Sequence, residues 1–129
     1  VELTDEKIME TLKAVVAESP DKVYAAPEHM VSLDYSGQPT SMTCFYVHTD
    51  ENGDRPTPGC LVGQVLNRLG VELDYLADRE GTGADALGSG LGISEDARTL
   101  LAIAQDRQDH GSTWGKALAD AIEGEGAEL

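Results

Sequence analysis

The chain has 129 residues, of which 24 are Asp or Glu and 9 are Lys or Arg, for a formal net charge of −15. So few, scattered cations exclude unaided binding to nucleic acid or to an anionic membrane, because both need clustered Lys and Arg to displace counterions. The 40 % hydrophobic content argues against disorder and for one domain spanning residues 1–129.

The first predicted element is a helix from Asp5 to Ser19. Leu3 and Ile8 occupy the positions that staple a helix start, Thr4 stands between them as N-cap, and Asp5 and Glu6 fill the first turn. Ile8, Leu12, Val15 and Val16 recur at helical spacing, and Pro20 blocks continuation. Met30 to Tyr35 and Met42 to His48 then read as two strands, joined by the turn residues Ser36-Gly37-Gln38-Pro39-Thr40 into an antiparallel hairpin. Asp50-Glu51-Asn52-Gly53-Asp54 reads as a polar turn, and Arg55-Pro56-Thr57-Pro58 leaves the sheet or adds only a ragged edge, since proline has no ladder donor.

A second helix starts around Gly59 to Cys60, carries Leu61, Val62, Val65, Leu66 and Leu69, and stops at Gly70, with Val71 folding back on Leu66. A short helix follows from Glu72 to Glu80. Gly81 to Gly92, with five glycines, reads as a loop with room for one helical turn. Ser94 caps a helix that runs to about Asp109, and the last helix begins near Ser112 or Thr113, with Trp114, Ala117, Leu118, Ala121 and Ile122 on one face. Residues 124–129 read as a frayed tail. The predicted architecture is α+β: about five short helices and one antiparallel β-hairpin in a single small domain.

The candidate chemistry is sparse. No apolar run spans a bilayer, and the segment Val1 to Glu6 lacks the basic and apolar regions of a secretory signal, so the expectation is a cytoplasmic protein. Cys44 and Cys60 read as free thiols, with no CxxC pair for zinc. Cys60 is the best candidate for a catalytic nucleophile, because a helix N-terminus lowers a thiol pKa and Pro58-Gly59 would leave it accessible. His48 or His29 would serve as its base. The competing reading is a small buried packing residue.

Asp50, Asn52 and Asp54 imitate the start of a calcium loop, but Arg55 and Leu61 stand where such a loop needs Gly and Glu, so no metal is expected. The glycine-rich stretch lacks phosphate-loop spacing, so no cofactor is expected either. The two helices around Leu69-Gly70-Val71 are spaced like a helix-turn-helix. Glu72, Asp74, Asp78 and Glu80 give them the wrong sign for DNA, and an antiparallel helix pair is the plainer reading. Gln105, Gln108, Asp109, His110 and Trp114 read either as a polar binding cluster or, preferably, as a helix-end cap with Trp114 as core anchor.

Gly59-Cys60-Leu61-Val62-Gly63 through Leu69-Gly70-Val71, with Ala104-Gln105-x-x-Gln108-Asp109-x-Gly111-x-x-Trp114-Gly115-x-Ala117-Leu118, resembles a pattern in small uncharacterised proteins of actinobacteria and their bacteriophages. The resemblance covers about half the chain and implies a phage or mobile-element accessory protein that modulates a host process, with no activity to transfer. The functional expectation is an acidic protein-interaction module whose partner is a protein. The alternatives are a DNA mimic and a thiol-dependent enzyme using Cys60. For the mimic, a folded surface of about 6,600 Å² would carry one net charge per about 440 Å², against about 110 Å² on B-DNA, so the carboxylates would have to gather on one face.

Overall fold

Thr4 starts the fold as predicted: its Oγ1 accepts from Lys7 N at 3.2 Å, and helix α1 runs Asp5–Glu18. The computed structural model describes residues 3–31, 35–37 and 44–125. Beyond α1 come a 3-10 turn at Glu28–Met30, strands β1 (Val47–His48) and β2 (Thr57–Pro58), and helices α2 (Leu61–Arg68), α3 (Leu73–Ala77), α4 (Ala84–Gly90), α5 (Glu95–Asp109) and α6 (Trp114–Glu125). Among the described residues, six α-helices and one two-stranded antiparallel hairpin make an α+β fold around a shared core.

The hairpin is not the predicted one. β1 pairs with β2, Val47 opposite Pro58 and His48 opposite Thr57, so the ragged edge at Thr57-Pro58 is the real partner strand. Asp50 drives the turn between them. Its Oδ1 accepts from Asn52 N at 3.0 Å and Asp54 N at 2.9 Å, while Asp50 N donates to Asp54 O at 2.8 Å. These local carboxylate bonds close the loop more cheaply than a distant pairing could. Of the strand expected from Met30 to Tyr35, Met30 instead ends the 3-10 turn and Tyr35 lies in a turn. Residues 32–34 and 38–43, on which the rest of that hairpin fell, lie outside the described residues.

α2 ends in the predicted Schellman arrangement. Gly70 adopts φ 103°, Gly70 N donates to Asn67 O at 3.0 Å, and Val71 N donates to Leu66 O at 3.0 Å. α3 is shorter than the expected Glu72 to Glu80 and packs chiefly against β1, so it is not the antiparallel partner of α2. The glycine-rich stretch is more ordered than a loop: α4 takes seven of its residues and packs on α5 through buried Leu87. Glycine is a poor helix former, and burial of Ala84, Leu87 and Gly88 overrides that propensity here. α6 likewise continues through residue 124, where the tail was expected to fray, with Gly124 facing Ile103. Residues 126–129 lie outside the described residues.

α5 and α6 lie antiparallel, since Gly124 faces Ile103 and Asp120 meets Arg107 at 3.4 Å. The first turn of α6 is held by the turn after α1: Trp114 N donates to Lys22 O at 2.9 Å and Gly115 N to Pro20 O at 2.8 Å. The start of α5 is tied to that of α1, with Ser94 capping Ala97 N at 3.1 Å and its Oγ donating to Asp5 Oδ1 at 2.5 Å.

Among the described glycines, the closest backbone approach is that of α2 to the chain before β1. A Cβ at Gly63 would stand 2.3 Å from Tyr46 O, nearer than any non-bonded carbon can come, and backbone cannot swing aside as a side chain can. Gly63→Ala is therefore expected to lower unfolding free energy by at least about 2 kcal/mol, measured by urea denaturation. Unchanged stability would disprove this contact.

Candidate functional site

Two cysteines that stand apart in the sequence meet where β1, α2 and α5 converge. Cys60 N donates to Phe45 O at 2.9 Å and Gly59 N to Tyr46 O at 2.8 Å, so the segment entering α2 runs alongside the segment entering β1 and brings Cys60 to Cys44. From α5, two glutamines one turn apart reach inward. Gln105 Nε2 lies 2.7 Å from Cys44 Sγ and 3.5 Å from Cys60 Sγ. Gln108 Nε2 donates to Asp109 Oδ1 at 2.8 Å and lies 3.6 Å from Cys44 Sγ, while its Oε1 accepts from Leu61 N at 2.8 Å. Gln108 thus satisfies a free N–H of the first turn of α2, which no side chain of α2's own cap reaches.

The two thiols interact electrostatically as a pair. The hydrogen bond to Cys60, reinforced by burial, pushes the Cys44 thiol far above its ordinary range. For Cys60, burial opposes ionisation, but hydrogen bonds from Cys44, the Gly63 N–H and Gln105 outweigh it and hold the thiol below its ordinary value. The two thiols therefore titrate as a pair, and the proton that remains after the first has left is shared between the two sulfurs. Asp109 sits at the outer rim. Its residue is exposed, yet shielding of the carboxyl raises its pKa against the opposing hydrogen bonds from Gln108 and Cys44.

A second polar group lies on the β1 side. Tyr24 Oη accepts from Phe45 N at 3.0 Å and pairs with His48 Nε2 at 2.7 Å. Burial first, then the charges of Lys22 and His29, lowers the pKa of His48. Glu80 receives Tyr46 N at 2.7 Å and Val47 N at 3.1 Å on its two carboxylate oxygens, taking the place of a strand neighbour along β1. Burial raises its pKa despite these two bonds.

The fold brings Cys60 to Cys44 and not to a histidine. Cys60 is 0 % exposed, which corrects the accessibility expected from Pro58-Gly59. His48 pairs with Tyr24, and His29 Nε2 with Thr49 O at 2.8 Å. The Gln105 to Trp114 group divides: the glutamines point to the thiols, His110 Nδ1 holds the end of α5 through Asp106 O at 2.7 Å, and Trp114 is buried. Glu80 and the bridging role of Gln108 carried no sequence signal, because their partners lie 33 or more residues away. Among the described residues no cluster of three or more His, Cys, Asp or Glu side chains could hold a metal ion. No protein-family model, no curated protein and no solved structure matches the chain.

Gln108→Ala removes an acceptor from a buried N–H and is expected to cost about 1–3 kcal/mol in urea denaturation, with no loss if water replaces the amide. Asp109 gives a signed pH effect. Because its folded pKa is raised, its contribution to stability is full below the ordinary aspartate value of 3.8 and is lost as pH rises through the folded value. Relative to Asp109→Asn, the native chain should therefore gain stability as pH falls toward that value. Parallel thermal-denaturation profiles for the two chains would refute the assignment.

Proposed function

We propose that the chain is a small acidic cytoplasmic module that binds a basic protein surface through carboxylates. The observation that carries this reading is an acidic pole at the joined starts of α1 and α5. The Ser94–Asp5 bond sets Asp5 and Glu6 beside Glu95 and Asp96, and none of the four has a Lys or Arg ion-pair partner among the described residues. The N-terminal dipoles of two helices make this concentration of negative charge tolerable in the free protein, so the charge is available to a partner. An apolar docking face has less support: Val23 and Tyr35 are the large hydrophobic side chains standing well exposed among the described residues. Free thiols at Cys44 and Cys60 fit a reducing compartment, and among the described residues no helix is long and apolar enough to cross a membrane.

The other readings draw less from the geometry. A surface of 7101 Å² shared by 15 net charges gives about 470 Å² per charge, about four times sparser than B-DNA, and the acidic pole gathers only a few carboxylates. A thiol-dependent enzyme would have to expose a sulfur that is 0 % accessible at Cys60.

Affinity capture with the native chain and with Glu6→Gln/Glu95→Gln/Asp96→Asn, in low and in high salt, tests the proposal. A partner bound by this pole should be released by salt and should bind the triple variant about tenfold more weakly or worse, as a few contacts of a fraction of a kcal/mol each would give. A partner held equally by both chains at high salt would overturn the acidic-pole reading.

A further inference from the structure

We propose that Cys44 and Cys60 are a thiol modification site that closes into a reversible intramolecular disulfide, with a low-molecular-weight disulfide as the oxidant. Three observations converge on it. The Cys60 N–H to Phe45 O bond of 2.9 Å fixes the backbone of one cysteine beside the neighbour of the other. A single nitrogen, Gln105 Nε2, touches both sulfurs at 2.7 and 3.5 Å. Finally, the pair has one open side: Cys44 is partly exposed whereas Cys60 is buried. A reagent therefore reaches Cys44, and only Cys44 has a resolving sulfur behind it.

The chemistry balances in two exchanges. Once the pair has lost one proton, the remaining one passes to the Cys60 sulfur as Cys44 attacks one sulfur of the small disulfide, forming a mixed disulfide and releasing one small thiolate, which takes up the proton the pair had lost. Cys60 then attacks the Cys44 sulfur of the mixed disulfide. The Cys44–Cys60 bond forms, the second small thiol leaves as thiolate, and it takes up the proton that Cys60 surrendered. Two protein thiols are oxidised and one small disulfide is reduced to two thiols. Gln105 Nε2, 3.5 Å from Cys60 Sγ, supports the second step, since it is placed to donate to the thiolate that attacks there. The new bond would tie the segment before β1 to the start of α2, closing a loop that contains the Asp50 turn.

Oxidised glutathione is the probe. The full chain is incubated with it, excess thiol is alkylated under denaturing conditions, and intact and peptide masses are read. The expected product is a monomer lighter by two hydrogens, with neither cysteine alkylated and both thiols recovered after dithiothreitol. Cys60→Ala should stop at a glutathione adduct on Cys44, and Cys44→Ser should consume the reagent at least about tenfold more slowly than the native chain. A stable glutathione adduct on Cys44 of the native chain with Cys60 still alkylatable would overturn the proposal. So would a disulfide-linked dimer, or two thiols that stay reduced. The decisive readout uses the native chain and does not depend on either variant folding.

Discussion

The amide of Gln108 holds together the part of the molecule from which the rest is organised. A helix begins with N–H groups that have no partner in the helix, and α2 begins in the interior, where an unmet N–H costs about 1–3 kcal/mol. The residue at the cap, Cys60, offers no oxygen. Gln108 supplies one from the far side of the core, and its own amide nitrogen is taken by Asp109 at the surface. The polar chain therefore runs from the inside of α2 to solvent without a break, and it links α5 to the start of α2.

Once α2 is placed, its neighbours have little freedom. Gly63 lets the helix lie directly on the carbonyl of Tyr46, and the segment carrying Tyr46 then presents two N–H groups that no further strand among the described residues receives. Glu80 receives both. A sheet of two residues per strand is too small to be stable by its own ladder. Here the carboxylate on one side and the helix on the other do the work of additional strands. The cost falls on Glu80, whose burial disfavours its charged form even while its charge is what the two N–H groups require.

The helices were legible because their signals are local. Thr4 and Ser94 cap within three residues of themselves, Gly70 stops α2 through its own φ, and the spacing of Ile8, Leu12 and Val15 declares which face is buried. The strand pairing was not legible for the opposite reason, although β1 falls within the expected strand Met42 to His48. Met42 to His48 is rich in β-forming residues, yet pairing is a property of two segments, and the better partner for Val47 and His48 was the proline-containing Thr57-Pro58, brought back by the Asp50 turn. α4 is not legible from composition, since glycine content speaks only to the backbone, whereas α4 is held by burial of Leu87 and Ala84 and by packing on α5. Of the candidate site, Cys60 was noticed but its setting was not. That Cys44 stands beside it depends on how the segments entering β1 and α2 run together, which no spacing in the sequence encodes.

The docking of α6 on the turn after α1 also gives the protein an intrinsic optical gauge. Trp114 is the sole tryptophan. It is 1 % exposed, the Lys22 ammonium stands 4.7 Å from the ring centre, and its indole N–H has no hydrogen-bond partner among the described residues. An indole so enclosed emits from an apolar, cation-faced environment that exists only while the last helix is seated against Pro20 and Lys22. Its fluorescence therefore times one event, the closing of the final helix onto the first, separately from formation of either helix, which circular dichroism would follow.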